Sequence, residues 1–213
     1  MYRILCVGGY QKDDFLTEGH GDNISEYNAR INECTGLYWI WKNTRSDYVG
    51  MSHYRRWFYN RRTPHDKSRL DKDRVEELLL GEKYDIILTR TSWFPWRVID
   101  NCNICLGEEI TEKADMVFRK ILKIRQPNYI RAYDEVMAGN HMHVCNLFVT
   151  RWEIFDAYCE WLFSVLLDAA DWIDVSDCTA RQARVAGYFA EIMPTVWLKE
   201  HDYRICEQPH RMV

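Results

Sequence analysis

The chain has 213 residues, enough to bury one sizeable core and short for two, so a single α/β domain spanning 1–213 is expected. Its net charge of −4 sets general nucleic-acid binding aside, because such proteins need a basic face to displace counterions. No apolar run nears the roughly 20 residues that span a bilayer, which leaves at most peripheral membrane contact.

Tyr2–Val7 reads as a first, buried strand, and Gly8-Gly-Tyr10 closes it with a loop whose backbone can approach a ligand; a base could stack on Tyr10. No signal-peptide core precedes that strand, so the 8 cysteines are expected to be reduced and the chain cytoplasmic, in solution or at the inner face of the membrane. The polar loop 15–28 has no helical or strand period and contains Asp22 and Asn23. Ile31, Cys34, Leu37, Tyr38 and Trp41 then recur at helical spacing, which predicts one helix over 29–43 with Asn28 as its N-cap.

The segment Asp47–Tyr59 is the centre of the reading. Tyr48, Val49 and Met51 suit a sheet interior, Gly50 admits another backbone, and His53, Tyr54, Arg55 and Arg56 follow where the strand emerges. In open α/β sheets ligands sit at that point. Each guanidinium carries five N–H donors in a rigid fork and keeps its charge near neutral pH, so the natural guest is a phosphate or carboxylate. Strand alternation sends Arg55 and Arg56 to opposite faces, leaving one of them for a given ligand. The competing reading is a solvated basic strand end.

Further along, 73–80 reads as a short amphipathic helix stopped by Gly81, and 84–89 as another buried strand. Residues 90–107 show no period and carry Trp93, Phe94 and Trp96, which suggests a loop packed by its own aromatics. Helices are expected over 111–125 and 128–137, the second opened by Pro127 and ended by Gly139. A strand over 141–150 follows, with Asn146 at its middle needing polar partners. The clearest helix lies over 153–168. A last one, capped by Ser176 or Asp177, runs through Gln182, Arg184 and Ile192, loosened by Gly187 and kinked or ended by Pro194. Glu191 lies near that break, where its carboxylate either enters a cleft or faces solvent. Cys102, Cys105, His141, His143 and Cys145 permit a zinc count, but their segments lack the paired spacing of structural zinc sites, and no metal is expected.

Gly21–Ser25, Leu37–Asn43, Asp47–Arg56, Cys145–Phe148, Glu153–Phe163, Gln182–Gly187 and Val196–Leu198 together resemble a bacterial family of capsular and exopolysaccharide glycosyltransferases long filed as a domain of unknown function. The resemblance implies a nucleotide-binding α/β sandwich of the A type with a central mixed sheet, whose strands would lie near 2–7, 47–52, 84–89 and 144–150. It also implies sugar transfer from a nucleotide-diphosphate donor to a surface polysaccharide or a lipid-linked acceptor. The Asp-x-Asp metal motif of related transferases is replaced here by His53–Arg56, so fixed positive charge would take the place of a divalent metal on the diphosphate. In that picture Tyr10, Asp22 and Asn23 hold the nucleoside, and His53, Tyr54, Arg55 and Arg56 hold the diphosphate. Asn146, Gln182 and Arg184 meet the sugar or acceptor, and Glu191 is the general base. The chain departs from the family pattern at Cys102–Glu109 and at Ile192–Pro194, both on the acceptor side. A noncatalytic carbohydrate- or nucleotide-binding protein on the same fold is the alternative.

Overall fold

The computed structural model describes residues 1–212. Its strands are β1 (Leu5–Cys6), β2 (Leu16–Thr17), β3 (Tyr48–Met51), β4 (Arg56–Phe58), β5 (Ile86–Thr89), β6 (Ser92–Trp93), β7 (His141–Met142), β8 (Phe148–Arg151), β9 (Ile205–Gln208) and β10 (His210–Met212). The helices are α1 (Asn28–Ile31), α2 (Cys34–Asn43), α3 (Lys72–Glu76), α4 (Val98–Leu106), α5 (Glu108–Arg125), α6 (Ile130–Ala138), α7 (Trp152–Trp172), α8 (Val185–Ala190) and α9 (Met193–Leu198).

Four strands form the central mixed sheet in the order β3-β8-β5-β9, with β8 antiparallel to both neighbours and β9 parallel to β5. Side-chain alternation divides the core between its faces. Ile86, Leu88 and Phe148 join the larger cluster under α7, while Ile87, Val149 and Cys206 join a smaller one with Phe58, Leu70 and Leu79. Gly50 serves close approach: a Cβ there would lie 2.5 Å from the carbonyl oxygen of Phe148 on β8. α7 is longer than its sequence pattern and buries Phe155, Cys159, Leu162, Val165, Leu166 and Ala169 along one face.

Several expectations are corrected. The first strand does not enter the central sheet but pairs in parallel with β2, leaving Tyr2 and Ile4 exposed; the fourth sheet strand is β9, near the end of the chain. The segment 90–107 is not an aromatic-packed loop: Val98, Cys102 and Leu106, four residues apart, bury one face of α4, while Trp93 stays 69% exposed. Pro194 occupies the first turn of α9, where its missing N–H costs nothing, so it opens a helix and does not end one. Gly187 does not loosen α8; it lets the helix press against Asn32 and the main chain of Ile31.

Two further corrections shape the site. The helix expected over 29–43 breaks between α1 and α2 at Asn32, whose φ is +55°. Asn28 is therefore no N-cap. Its amide donates to the Asn32 carbonyl at 3.0 Å and to the Thr35 hydroxyl at 2.9 Å, bracing the break from inside. The strand expected over 141–150 is likewise interrupted: β7 and β8 are separated by a turn in which Cys145 (φ +76°) and Asn146 (φ +46°) both adopt left-handed backbone, so Asn146 stands just before a strand and not within one.

Candidate active site

The run His53–Arg56 is a tight turn between β3 and β4, closed by an antiparallel bridge between its end residues and an Arg56 N–H to His53 carbonyl bond of 3.0 Å. The turn, and not strand alternation, separates the two arginines. Arg55 sits at its exposed tip with its guanidinium 5.0 Å from the Tyr54 ring, and Tyr54 itself is 78% exposed. Arg56 opens β4, is half-buried, and places its charge where Glu191, Cys145 and His53 all feel it. His53 accepts the Arg55 N–H at Nδ1 over 3.2 Å, which assigns its proton to Nε2. Burial, and then the Arg56 charge, lowers its pKa below the usual histidine value, so the imidazole is a neutral donor near pH 7.

Opposite this turn lie residues brought in by the two backbone irregularities. Glu33 occupies the N-cap position of α2 without capping it, and Oε1 accepts from the Asn146 amide at 3.1 Å. Glu191, just after α8, accepts the Cys145 N–H at Oε2 over 3.2 Å. Arg184 donates through Nε to the Asn32 side-chain oxygen and counters the Glu191 charge. Glu191 is pushed up to about 7, chiefly by burial and next by the Glu33 carboxylate, against the opposing pull of the Cys145 N–H, Arg56 and Arg184. The Cys145 thiol is raised to about 11 by burial, so it stays protonated and is no nucleophile. Asn32, Cys145 and Asn146, three of the non-glycine residues with positive φ, thus meet around one carboxylate pair, and strain of this kind concentrates at functional sites.

The structure gathers His53, Arg56, Asn146, Arg184 and Glu191, with Tyr54 and Arg55 at the exposed tip of the same turn, and leaves Tyr10, Asp22, Asn23 and Gln182 apart. Asp22 and Asn23 are stapled elsewhere: Asn43 bonds both the N–H and the carbonyl of Asp22, Tyr38 donates to the Asp22 carboxylate at 3.2 Å, and Asn23 turns inward on Gly21 and Ser25. Those contacts belong to the middle and C-terminal end of α2, whereas Glu33 lies before the first turn of a helix about 15 Å long. Gln182 spends its amide on the Leu106 carbonyl and on Thr179. Tyr10 is 62% exposed on a turn whose Gly8 abuts the Asn28 side chain. Asn32 and Glu33 escaped the sequence reading because they continue a helical pattern; the available signal was asparagine itself, the non-glycine residue most at ease in left-handed backbone. Glu33 and Glu191 bring carboxylates to the His53 turn: the Glu33 charge reaches His53, and that of Arg56 reaches Glu191. Among the described residues no three His, Cys, Asp or Glu side chains form a metal-holding group.

Residues 1–202 match the family described as Domain of unknown function (DUF4422). No curated protein matches the chain. Among solved structures the chain is similar to the apo structure of the WbbM bifunctional glycosyltransferase, at 24% identity and a TM-score of 0.83 over 99% of this chain. That alignment takes in 42% of the other protein, so this chain spans less than half its length. At such identity the likeness speaks for the fold alone, an α/β fold with a central mixed sheet shared with part of that protein. The match over nearly every residue makes the chain a member of the DUF4422 family.

Proposed function

We propose that the protein transfers a sugar from a nucleotide-diphosphate donor to a saccharide or lipid-linked acceptor of a surface polysaccharide. The observation that carries this reading is the half-buried Glu191–Glu33 carboxylate pair, with Arg56 and the neutral His53 within reach of its charge, on a glycosyltransferase-like fold. Glu191 accepts the proton of the acceptor hydroxyl as that oxygen bonds the anomeric carbon. The bond from that carbon to the diphosphate breaks, and the nucleoside diphosphate leaves with the electron pair. Arg56, helped by the His53 Nε2–H, stabilises the charge that develops on it, with Arg55 and Tyr54 at the open side of the turn. Asn146 and Arg184 orient the carboxylates.

The test is release of nucleoside diphosphate from a panel of nucleotide sugars, with and without added saccharide acceptor. Acceptor-stimulated release supports the proposal. Binding without release supports the second reading, a noncatalytic nucleotide- or carbohydrate-binding protein, which the departures at 102–109 and 192–194 keep open. A thermal-shift screen identifies the donor first, since a ligand at a hundred times its dissociation constant adds about 2.7 kcal/mol.

A further inference from the structure

The antiparallel ribbon of β4 and β10 has two chemically different faces. Arg56 and Phe58 point to the inner one: Phe58 is fully buried, and His210, paired opposite Phe58, feels the Arg56 charge. Trp57 points outward, with Arg211 opposite it in register, and Arg69 joins this face through its bridge to Tyr59, two residues on. The Trp57 ring has two guanidiniums about it, Arg69 at 4.5 Å and Arg211 at 5.1 Å, and Arg69 also lies 5.3 Å from the Tyr2 ring. Arg62 pairs with Asp71 and Glu77; among the described residues, neither Arg69 nor Arg211 has a carboxylate within salt-bridge distance.

Charge is unevenly distributed along the chain. From His53 to Arg69 there are six Arg and Lys residues against the single carboxylate of Asp66, while the whole chain carries −4. The rest of the molecule is therefore more acidic than the total. Of those cations Arg56 points to the inner face and Arg62 is paired, so the outer face carries the unpaired charge of Arg69, joined by Arg211. An anionic plane would attract the ribbon and repel the remainder, which fixes orientation as well as affinity. Arginine interleaved with half-exposed Trp57 and Tyr2 matches the boundary of a bilayer, where guanidiniums meet phosphates and aromatic rings settle at headgroup depth.

We propose that the outer face of the β4–β10 ribbon, centred on Arg69, Trp57 and Arg211, docks the protein on an anionic lipid surface. The face lies on the opposite side of the ribbon from Arg56, so docking leaves the carboxylate site free, and neither proposal requires the other.

The experiment is sedimentation of the full chain with vesicles of phosphatidylcholine alone and of phosphatidylcholine containing phosphatidylglycerol, without nucleotide or sugar. Binding is expected to the anionic vesicles only, and to disappear at high salt. R69Q/R211Q should weaken it roughly 25-fold, about fivefold for each charge, whereas R69K/R211K, which keeps the charge, should bind within about twofold of the parent. Circular dichroism melts of both variants check that β10 remains folded. The proposal is overturned if the parent does not bind anionic vesicles, if it binds neutral ones equally, or if folded R69Q/R211Q binds like the parent. Tighter binding to soluble dextran sulfate than to vesicles at equal ionic strength would also overturn it, in favour of a polyanionic polymer.

Discussion

At the scale of single residues, Glu191 ties stability to chemistry. Its ordinary value of 4.5 rises to about 7 in the fold, which means the native state favours the protonated carboxyl. The penalty is absent below pH 4.5, grows as pH rises toward 7, and is complete above it, on the order of 3 kcal/mol. Glu191→Gln should therefore leave stability near that of the parent at pH 5 and raise it at pH 8, as read by urea titration at both values. The same substitution should abolish acceptor-dependent turnover. In the parent, turnover should climb through about pH 7 as the base loses its proton, and a flat profile from pH 6 to 8 would remove Glu191 from that role. Arg56→Ala should weaken diphosphate binding by roughly 1.5–3 kcal/mol, the range for hydrogen bonds to a charged group. Arg55→Ala, at the exposed tip of the turn, should cost less. Calorimetric titration with nucleoside diphosphate separates them, and Arg56→Lys should not restore binding because a point charge lacks the paired fork.

At the scale of elements, the site depends on two places where regular structure is interrupted. The α1–α2 break turns Glu33 toward Asn146, and the turn before β8 presents the Cys145 N–H to Glu191. α8 holds the first of these in place by pressing Gly187 against Asn32. Gly187→Ala would drive its Cβ into the Asn32 amide and to 3.2 Å from the Ile31 carbonyl carbon. The expected cost is about 1–3 kcal/mol, as for overpacking elsewhere, with a fall in turnover larger than the loss of folded protein explains. Thermal melts and single-turnover rates on the same sample make the comparison; parental values for both would mean that α8 does not brace the break. Phe118 stacked on Phe189 at 5.0 Å anchors α8 to α5 from the other side, so the helix cannot simply withdraw.

At the scale of the whole molecule, the balance of charge in the cleft bears on metal use. The charges of Arg56 and Arg184 both reach Glu191, and on the proposed function they would supply positive charge for a leaving diphosphate. Donor turnover should persist in excess EDTA and be unchanged by Mn²⁺. Loss in EDTA, restored by the metal, would show that the carboxylate pair holds an ion beside the arginines.

Much of this was legible in the sequence, for local reasons. Short apolar runs marked β3, β5 and β8, a 3.6-residue stripe marked α5 and α7, and His53-Tyr-Arg-Arg56 marked the cationic turn, because those signals reside in neighbouring residues. α4 hid behind its aromatic prelude, and β9 behind Glu207, Gln208 and Pro209, since the fourth strand of the sheet is defined by its partner β5 and not by its own composition. The nucleoside roles suggested for Asp22 and Asn23 rested on a polar loop whose partners, Asn43 and Tyr38, only folding could supply. Glu191 was visible as a carboxylate near a helix break. That it is half-buried, is pushed up to about 7, and shares its surroundings with Glu33 was decided by tertiary structure alone. The two glutamates are separated by most of the chain, and a pKa is set by the charges and solvent that the fold places around a group, which no local pattern encodes.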